Sequence, residues 1–391
     1  MKLSHRITSL APSATIAMSA KAQALKSQGR DILSLSIGEP DFATPTHIGN
    51  AGKQAIDDEF THYTAGPGII ELRAAVAGYF HTQYGVTAAA ENVIISNGGK
   101  QVLYNFFIAI LDPADEVIIP APYWVSYPAM VELAGGTPVI APSSVASNFK
   151  MTPEDLDRHY TAKTKVLVMN SPSNPSGACY TQAELDAVAQ WAVARNVIVV
   201  SDEIYDQLVY APAKKASFSP WWQKHPEHFV IAGGVSKSFA MTGWRLGHAL
   251  AVPQLIKAMA TFQEQTTSNV CSITQKAALA AYTGDFAPVE AMRRAFLRRR
   301  DLAMNIINTW KDVVCHVPEG AFYIFPDMHR LYTDKCPNSL AMCEQLLEHA
   351  GVALVPGSPF GEDKCVRISY ATSDENLVKA LERIEAFLYK K

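Results

Sequence analysis

One lysine stands among small residues in the segment from Gly234 to Gly247, which reads GVSKSFAMTGWRLG. Lysine condenses reversibly with aldehydes, and neighbouring cations lower its basicity enough for this to occur near neutral pH. Arg245 follows Lys237 by eight positions and could bind a phosphate carried by such an aldehyde. The segment predicts a Schiff base at Lys237 and a phosphate contact at Arg245, unless the two are a surface lysine and a helix-end charge.

A second polar turn, Asn97-Gly98-Gly99-Lys100, follows a β-type run and precedes an apolar helical pattern that begins near Val102. Free N–H groups at the start of a helix, with glycines that permit close approach, form a phosphate site. A Gly-Gly pair alone is more often an ordinary turn. Lys237 and Arg245 require a phosphate nearby, and for that reason we interpret this turn as a phosphate-binding site.

Four residues that follow other β-type runs could bind a flat heteroaromatic ring. Trp124 could stack on it, and the Asn174 amide could donate to a phenolate-like oxygen. Asp202 ends an apolar run, where a carboxylate is unfavourable unless it is paired, and a pyridinium nitrogen is a suitable partner. Tyr205 could donate to the same ring oxygen as Asn174. Core packing, an Asn-Pro turn and a helix N-cap are the competing explanations for Trp124, Asn174 and Asp202.

Arg367 lies in a short β-type run, VRISY, near the C-terminal end. A guanidinium group binds a carboxylate through two hydrogen bonds, as an amino-acid substrate would require. A solvated charge on a strand is the alternative.

Short β-type runs alternate with longer amphipathic stretches such as 182–195, which predicts an α/β fold with a mostly parallel sheet covered on both faces. The runs lie at 92–96, 116–119, 165–169, 197–201 and 229–232. Ligands in open α/β sheets bind beyond the carboxyl ends of the strands. We therefore expect the polar turns after these runs to converge on one crevice.

The pattern changes after about Gly284, where a charged helical stretch, 288–310, precedes short strands near 320–325 and 365–369 and a C-terminal helix. We interpret this part as a smaller α+β domain. An N-terminal helix, 14–28, is predicted between a Ser13 cap and Gly29 and is expected to pack with the small domain. The predicted divisions are an N-terminal arm and helix at 1–47, a large cofactor-binding domain at 48–284 and a small domain at 285–391.

Length, composition and net charge exclude several classes of function. With 391 residues, 48% of them hydrophobic, the chain can bury a large core. The net charge of −3 and the scattered basic residues predict no nucleic-acid or membrane partner. Six separated cysteines without a CxxC pair predict neither a metal site nor a disulfide framework. No signal peptide or membrane span is predicted, so we expect a cytoplasmic protein that binds small molecules.

Six ordered motifs together resemble the class I pyridoxal-phosphate aminotransferases of fold type I, and most closely the bacterial aspartate aminotransferase subgroup. Five of them read GEPDF, GGKQ, PYWVSYP, SDEIY and AMTGWR in this chain. The resemblance extends from the Pro12-Ser13-Ala14-Thr15 segment to 367–373. It implies a seven-stranded, mostly parallel sheet, pyridoxal 5'-phosphate as cofactor and a homodimer with shared active sites.

The resemblance also implies roles for individual residues. Lys237 would form the Schiff base with the cofactor and then move the substrate's α-proton. Asp202 would keep the ring nitrogen protonated, Asn174 and Tyr205 would bond the ring oxygen, and Trp124 would stack on the ring. The phosphate would be held by Gly98, Gly99, Lys100, Ser236 and Arg245. Tyr63 matches a tyrosine that, in the family, contacts the phosphate bound by the partner subunit.

For the substrate, the resemblance implies that Gly38 and Arg367 receive the α-carboxylate, with Trp124 and Asn174 beside it. Lys100 could pair with a distal carboxylate, helped by the hydroxyls of Ser13 and Thr15, or could be a surface lysine. The expected reaction moves the amino group of L-aspartate to 2-oxoglutarate by a ping-pong mechanism. Aromatic or broad specificity and a carbon–sulfur lyase are the alternatives.

The chain departs from the family pattern at two positions. Gly234 stands three residues before the lysine, where many relatives have serine, so Ser236 or Ser238 would have to supply a phosphate hydroxyl. Ala11 stands where some relatives that act on prephenate have a basic residue, which lowers the expectation of that activity.

Overall fold

A mostly parallel sheet forms the centre of the fold in the computed structural model, which describes residues 1–8, 10 and 14–389. In these residues seven strands pair in the order β2-β8-β7-β6-β5-β3-β4, with β8 antiparallel to both neighbours. The strands of this sheet are β2 Val93–Ser96, β3 Glu116–Ala121, β4 Thr137–Pro142, β5 Thr164–Asn170, β6 Ile198–Asp202, β7 Phe229–Gly234 and β8 Gly247–Leu250. The predicted fold class is confirmed.

Helices cover both faces of this sheet. The described α-helices are α1 His5–Thr8, α2 Ala14–Ser27, α3 Thr46–Asp57, α4 Ile70–Tyr84, α5 Gly99–Ile110, α6 Tyr127–Leu133, α7 Pro153–Asp157, α8 Gln182–Ala194, α9 Ser219–Lys224, α10 Pro253–Thr266, α11 Ser272–Thr283, α12 Ala287–Ile307, α13 Ser339–Gln345 and α14 Asp374–Tyr389. Side chains of α4, α8 and α11 pack in one apolar cluster and those of α5, α6 and α10 in another. Successive strand residues alternate between the two clusters, Val199 in the first and Val200 in the second, because side chains of a strand point to opposite faces.

A separate apolar cluster joins both ends of the chain. Met18 of α2, Phe296 of α12 and Leu381 of α14 all belong to it. Two small sheets flank this cluster. Their strands are β1 Leu33–Ser34, β9 Tyr323–Ile324, β10 Val352–Ala353, β11 Val355–Pro356 and β12 Val366–Ser369, with β1 parallel to β10 and the order β11-β12-β9 antiparallel. The predicted domain divisions at 47 and 284 stay predictions.

Two strands of the central sheet were absent from the sequence prediction. β4 contains Pro138 and Pro142, which weaken a strand pattern, and it lies at the edge of the sheet, where proline is tolerated. β8 is short and starts with Gly247 and His248 instead of β-branched residues. The predicted cap Ser13 lies outside the described residues, whereas Gly29 follows α2 with a φ of 85°, as expected of a residue that ends a helix.

Among the described helices, none combines the length and apolar character that a membrane span requires.

Candidate active site

A cavity of about 450 Å³ lies beyond the carboxyl ends of β5, β6 and β7. The parallel register pairs Asn170 with Asp202, and Asp202 with Ala232, so the turns that follow these strands begin side by side. Most of the predicted site residues line this cavity: Gly38, Gly99, Lys100, Trp124, Asn174, Asp202, Tyr205, Ser236, Lys237, Arg245 and Arg367. The predicted convergence on one crevice is therefore correct.

The Lys237 amine points into the cavity and donates a hydrogen bond to the Gly38 carbonyl oxygen at 2.5 Å. The pKa of Lys237 is lowered to about 8, chiefly by burial; Arg367 and Arg245 also lower it, while Glu39 and Asp202 oppose them. Compared with about a thousandth for an ordinary lysine, roughly a fifth of the amine is therefore in the neutral form at pH 7.4. This is the protonation state in which a lysine is a nucleophile.

We expect the rate at which the cofactor-free protein takes up pyridoxal phosphate to rise with pH and to level off above a pH of about 8. The amine of Lys237 reacts when it is neutral, and the neutral fraction grows through its pKa of about 8. Stopped-flow absorbance between pH 6 and 10 measures this. A rate that keeps rising to pH 10 would indicate a lysine with an ordinary pKa and would contradict the prediction.

Side-chain contacts with two other segments hold the segment that carries Gly38. Glu39 accepts a hydrogen bond from the Thr242 hydroxyl at 2.8 Å. Asp41 binds the buried Arg299 guanidinium through two hydrogen bonds of 2.7 and 2.9 Å. These contacts hold the Gly38 carbonyl over Lys237.

Asp202 ends β6 and is buried, with a hydrogen bond of 2.7 Å from the Tyr127 hydroxyl and one of 3.3 Å from the Ile204 N–H. Burial raises the pKa of the Asp202 carboxyl, and the Tyr127 hydrogen bond partly offsets this. No ion pair joins Asp202 to a cation in the part of the chain that the structure describes. A buried carboxyl of this kind would be stabilised as a carboxylate by a cation in the cavity.

A cluster of donors lies at another part of the cavity. Gly98 precedes α5 with a φ of 91°, a conformation that favours glycine, and a Cβ atom there would lie 2.4 Å from Arg245 Nη2. The backbone N–H groups of Gly99 and Lys100 have no acceptor among the described residues, because they begin the helix. Two free N–H groups beside a guanidinium suit an anion such as a phosphate.

The two serines next to Lys237 differ in position. Ser236 lines the cavity, whereas the Ser238 hydroxyl donates to Asp206 at 3.3 Å and does not line it. A Cβ atom at Gly234 would lie 2.8 Å from the Leu246 carbonyl oxygen, so a serine at this position would require the backbone to shift. Of the two serines, Ser236 is therefore the one whose hydroxyl is available to a ligand in the cavity.

Trp124 is half-buried in the cavity wall, and its ring packs edge-on against Tyr127 with 5.4 Å between ring centroids. The Lys100 ammonium lies 5.0 Å from the centroid of the Trp124 ring. Much of the Lys100 side chain is exposed, but partial burial of its amine, together with Arg245, lowers its pKa. Lys100 therefore places a cation beside a flat ring at the cavity.

Arg367 is buried on β12, where its Nη1 donates to Asn174 Oδ1 at 3.0 Å and its Nη2 donates to the Ser36 carbonyl oxygen at 2.8 Å. Its Nε is buried without a hydrogen-bond partner among the described residues. The guanidinium carbon lies 4.5 Å from the centroid of the Tyr323 ring. A buried arginine with an unpaired donor can bind an anionic group.

Some predicted residues lie elsewhere. Tyr63 is 91% exposed in this single chain and does not line the cavity. Gly98 lies next to the Arg245 guanidinium and is not itself part of the cavity wall. Ser13 and the side chain of Thr15 lie outside the described residues, so their predicted contribution stays a prediction.

Sequence reasoning missed three residues that contact predicted site residues. Tyr127 donates to Asp202, Asn170 donates to the Asp202 carbonyl at 2.8 Å, and the Tyr323 hydroxyl lies 2.9 Å from the Tyr205 hydroxyl. Tyr127 lies in the PYWVSYP motif and Asn170 at the end of β5, where site residues were expected, and these positions were the available signal. Tyr323 lies in an apolar strand with no such signal.

These observations test whether the cavity fits pyridoxal phosphate. The cofactor carries a phosphate, a ring nitrogen that binds a proton and an aldehyde, and each meets a suitable group here: the free N–H groups beside Arg245, the unpaired carboxyl of Asp202 and the amine of Lys237. The volume of the cavity lies within the range of small-molecule sites. The residues present therefore fit this cofactor.

Comparison with known proteins agrees with the fold and the site. The family model for aminotransferase class I and II matches residues 30–384. The aspartate/prephenate aminotransferase of Cereibacter sphaeroides is 46% identical over 98% of each chain, and the aspartate aminotransferase of Geobacillus stearothermophilus is 44% identical over 99% of each. The solved structure of Thermus thermophilus aspartate aminotransferase with maleate has a TM-score of 0.94 at 44% identity, and the match covers 98% of this chain and 99% of that one.

The fold and the site are those of a pyridoxal-phosphate-dependent enzyme of fold type I. The chain belongs to the class I and II aminotransferase family. It is a transaminase whose cofactor is pyridoxal 5'-phosphate and whose substrates are amino acids and oxo acids.

Proposed function

We propose that this enzyme moves the amino group of L-aspartate to 2-oxoglutarate, giving oxaloacetate and L-glutamate, in two half-reactions with ping-pong kinetics. The observation that carries the proposal is the presence of two separate cationic side chains, Arg367 and Lys100, in the wall of one cavity. Aspartate and glutamate each have two carboxylates, so each could pair with both cations. The names of the relatives support the same substrate.

Arg367 is proposed to bind the α-carboxylate of the substrate. Its side chain is already held by Asn174 and the Ser36 carbonyl, so little side-chain freedom is lost on binding. Its Nη1 and Nη2 atoms each keep a second N–H that donates to no described residue, and these are the donors available to a carboxylate. In this proposal Gly38 contributes its backbone, and Trp124 and Asn174 border the substrate.

Lys237 is proposed to attach the cofactor and then to act as the base that would carry the α-proton of the substrate to the carbon of the cofactor that bore the aldehyde. The second half-reaction would run the same transfer in reverse. A pKa of about 8 is suitable for both tasks, because proton transfer is most effective when the pKa of the base lies near the working pH. When bound, pyridoxal phosphate supplies an electron sink for the pair of electrons that remains at the α-carbon.

The remaining predicted residues are proposed to hold the cofactor. Asp202 would bind the protonated ring nitrogen, Tyr205 and Asn174 would donate to the ring oxygen, and Trp124 would cover one ring face. The proposed phosphate contacts are Gly98, Gly99, Lys100, Ser236 and Arg245. The unpaired N–H groups at the start of α5 support this assignment.

A panel of amino donors with 2-oxoglutarate tests the substrate. We expect aspartate to be the preferred donor and Lys100→Ser to lower kcat/KM for aspartate about tenfold, because one ionic contact is lost. Alanine has no distal carboxylate and serves as the matched control donor, for which the variant should differ from the wild type by no more than about twofold. Full aspartate turnover by Lys100→Ser would exclude Lys100 from the distal-carboxylate site.

The same panel separates the alternatives. Preference for phenylalanine or tyrosine would favour an aromatic or broad-specificity aminotransferase. Formation of pyruvate and ammonia from a cysteine conjugate without any oxo-acid acceptor would favour a carbon–sulfur lyase.

We further propose a homodimer in which Tyr63 contacts the phosphate bound by the partner subunit. The 91% exposure of Tyr63 supports this, as does the exposure of Ile56 and Ile70 on the adjoining helices α3 and α4. An interface would cover these exposed apolar side chains.

Hybrid dimers test the shared site. We expect Tyr63→Phe to weaken cofactor binding about tenfold, because a phosphate hydrogen bond is lost. A hybrid of one Tyr63→Phe chain and one Lys237→Ala chain should regain a single site of wild-type affinity, since one site then has both intact residues. A chain that carries both changes is the control and should show no such recovery in a hybrid with Lys237→Ala. Failure of the first hybrid to recover would contradict the arrangement.

We also propose the domain division at 48–284 and 285–391, with 1–47 joining the smaller part, and a cytoplasmic location. The separate apolar cluster that contains Met18, Phe296 and Leu381 supports the division. The six cysteines are all free, as expected in a reducing compartment.

A further inference from the structure

A buried pair of phenol groups joins the two main parts of the cavity wall. Tyr205 follows β6 of the central sheet, and Tyr323 lies on β9 of a small sheet. Their hydroxyl oxygens are 2.9 Å apart, and either could be the donor. Both residues line the cavity, and the side chain of Tyr323 is fully buried.

The direction of this hydrogen bond follows from the number of available protons. Each phenol has one hydrogen to donate. If Tyr205 donates its hydrogen to the ring oxygen of the cofactor, as proposed above, the Tyr323 hydroxyl has to donate to Tyr205. No other described residue accepts a hydrogen bond from the Tyr323 hydroxyl, so this group is free to do so.

The ring of Tyr323 has a second contact. The Arg367 guanidinium carbon lies 4.5 Å from its centroid, within the range of a cation–π interaction. A Cβ atom at Gly38 would lie 3.2 Å from the Tyr323 hydroxyl oxygen, so this oxygen also borders the segment above Lys237. The Tyr323 side chain therefore contacts Tyr205, which is proposed to bind the cofactor, and Arg367, which is proposed to bind the substrate.

We propose that Tyr323 is a positioning residue that acts through both neighbours: its hydroxyl orients and strengthens the hydrogen bond that Tyr205 donates, and its ring holds the Arg367 guanidinium. The inference rests on the roles proposed for Tyr205 and Arg367. Donation from Tyr323 polarises the Tyr205 hydroxyl, because successive hydrogen bonds in a chain strengthen one another. The two effects come from different parts of the side chain and can be separated.

The first test is a pH titration of the visible absorbance of the bound cofactor in the purified holoenzyme. Donation to the ring oxygen favours the high-pH form, in which that oxygen carries the full negative charge. We expect Tyr323→Phe to raise the midpoint by roughly half a pH unit and Tyr205→Phe to raise it by about one unit or more. The double variant should match Tyr205→Phe alone, because the Tyr323 hydroxyl acts only through Tyr205.

The charged groups near Tyr205 are Asp202, Arg367 and Lys237, and all three are retained in these variants. Ile324→Val is the matched control, since Ile324 is the adjacent buried residue of β9 and belongs to the apolar cluster. It should leave the midpoint unchanged. The thermal unfolding midpoint and the cofactor content of each variant establish that it is folded.

The second test separates the ring from the hydroxyl. We expect Tyr323→Phe to change KM for the amino donor less than about threefold, because the ring remains against Arg367, whereas Tyr323→Leu should raise KM about tenfold. An equal KM for the Phe and Leu variants would overturn the role of the ring.

The outcomes distinguish this inference from the proposed function. If Tyr205→Phe shifts the absorbance midpoint and Tyr323→Phe does not, or if the two shifts add in the double variant, the role of the Tyr323 hydroxyl is overturned while that of Tyr205 stands. If Tyr205→Phe itself causes no shift, the proposed role of Tyr205 fails, and the inference fails with it.

Discussion

Lys237→Ala is expected to abolish covalent attachment of the cofactor and to lower the rate of transamination by at least about four orders of magnitude. The variant lacks both the nucleophile and the base, and a positioned base alone contributes up to about 10⁴-fold. In this chain the Lys237 amine lies in the cavity with a pKa lowered to about 8, within hydrogen-bond distance of the Gly38 carbonyl. Attachment is measured as the mass added after borohydride reduction, and the rate in single-turnover experiments with aspartate.

Lys335→Ala is the control for this experiment, because Lys335 is an exposed lysine outside the cavity. It should retain both the added mass and the rate. A small primary amine in the buffer should restore part of the rate of Lys237→Ala if the missing group is a base. A borohydride-stable adduct on another lysine, or a rate within tenfold of the wild type, would show that Lys237 does not carry this chemistry.

Asp202→Asn is expected to lower kcat/KM about 10³-fold or more. The amide has nearly the same shape as the carboxylate but no negative charge, so it cannot stabilise a proton on the ring nitrogen. The Tyr127 hydroxyl can still donate to the amide oxygen, while the longer contact from the Ile204 N–H, at 3.3 Å, is lost, so most of the packing at the end of β6 should be retained. Steady-state kinetics measure the loss, and the thermal unfolding midpoint reports whether the site remains folded.

Asp157→Asn is a matched control. Asp157 accepts hydrogen bonds from Trp191 and Arg195 and does not line the cavity. This change removes one carboxylate charge and should alter stability without altering kcat/KM. A decrease of less than tenfold for Asp202→Asn would contradict the proposed pairing with the ring nitrogen.

The reactive groups were predictable from the local sequence, because the type of a side chain determines its chemistry. Lys237 among small residues and Asp202 at the end of an apolar strand were identifiable without any knowledge of their neighbours. The convergence of the turns was predictable as well, since the carboxyl ends of parallel strands meet at one edge of a sheet. The strands β5, β6 and β7 were predicted to within two residues at each end.

The partners of these groups were not predictable, because they are distant along the chain. Tyr127 is 75 positions from Asp202, and Tyr323 is 118 positions from Tyr205. The Gly38 carbonyl that accepts the Lys237 hydrogen bond is 199 positions away. No local pattern encodes such a pairing.

By itself, then, the sequence determined which side chains can form a Schiff base, bind an anion or pair with a ring nitrogen. It also determined that these side chains follow strand ends, which lie side by side in a parallel sheet. Only the tertiary structure decided the protonation and geometry of the site. The pKa of Lys237 is lowered chiefly by burial, and burial arises from the packing of distant segments around the amine. The Tyr205–Tyr323 contact likewise exists only because a small sheet packs against the carboxyl edge of the large one.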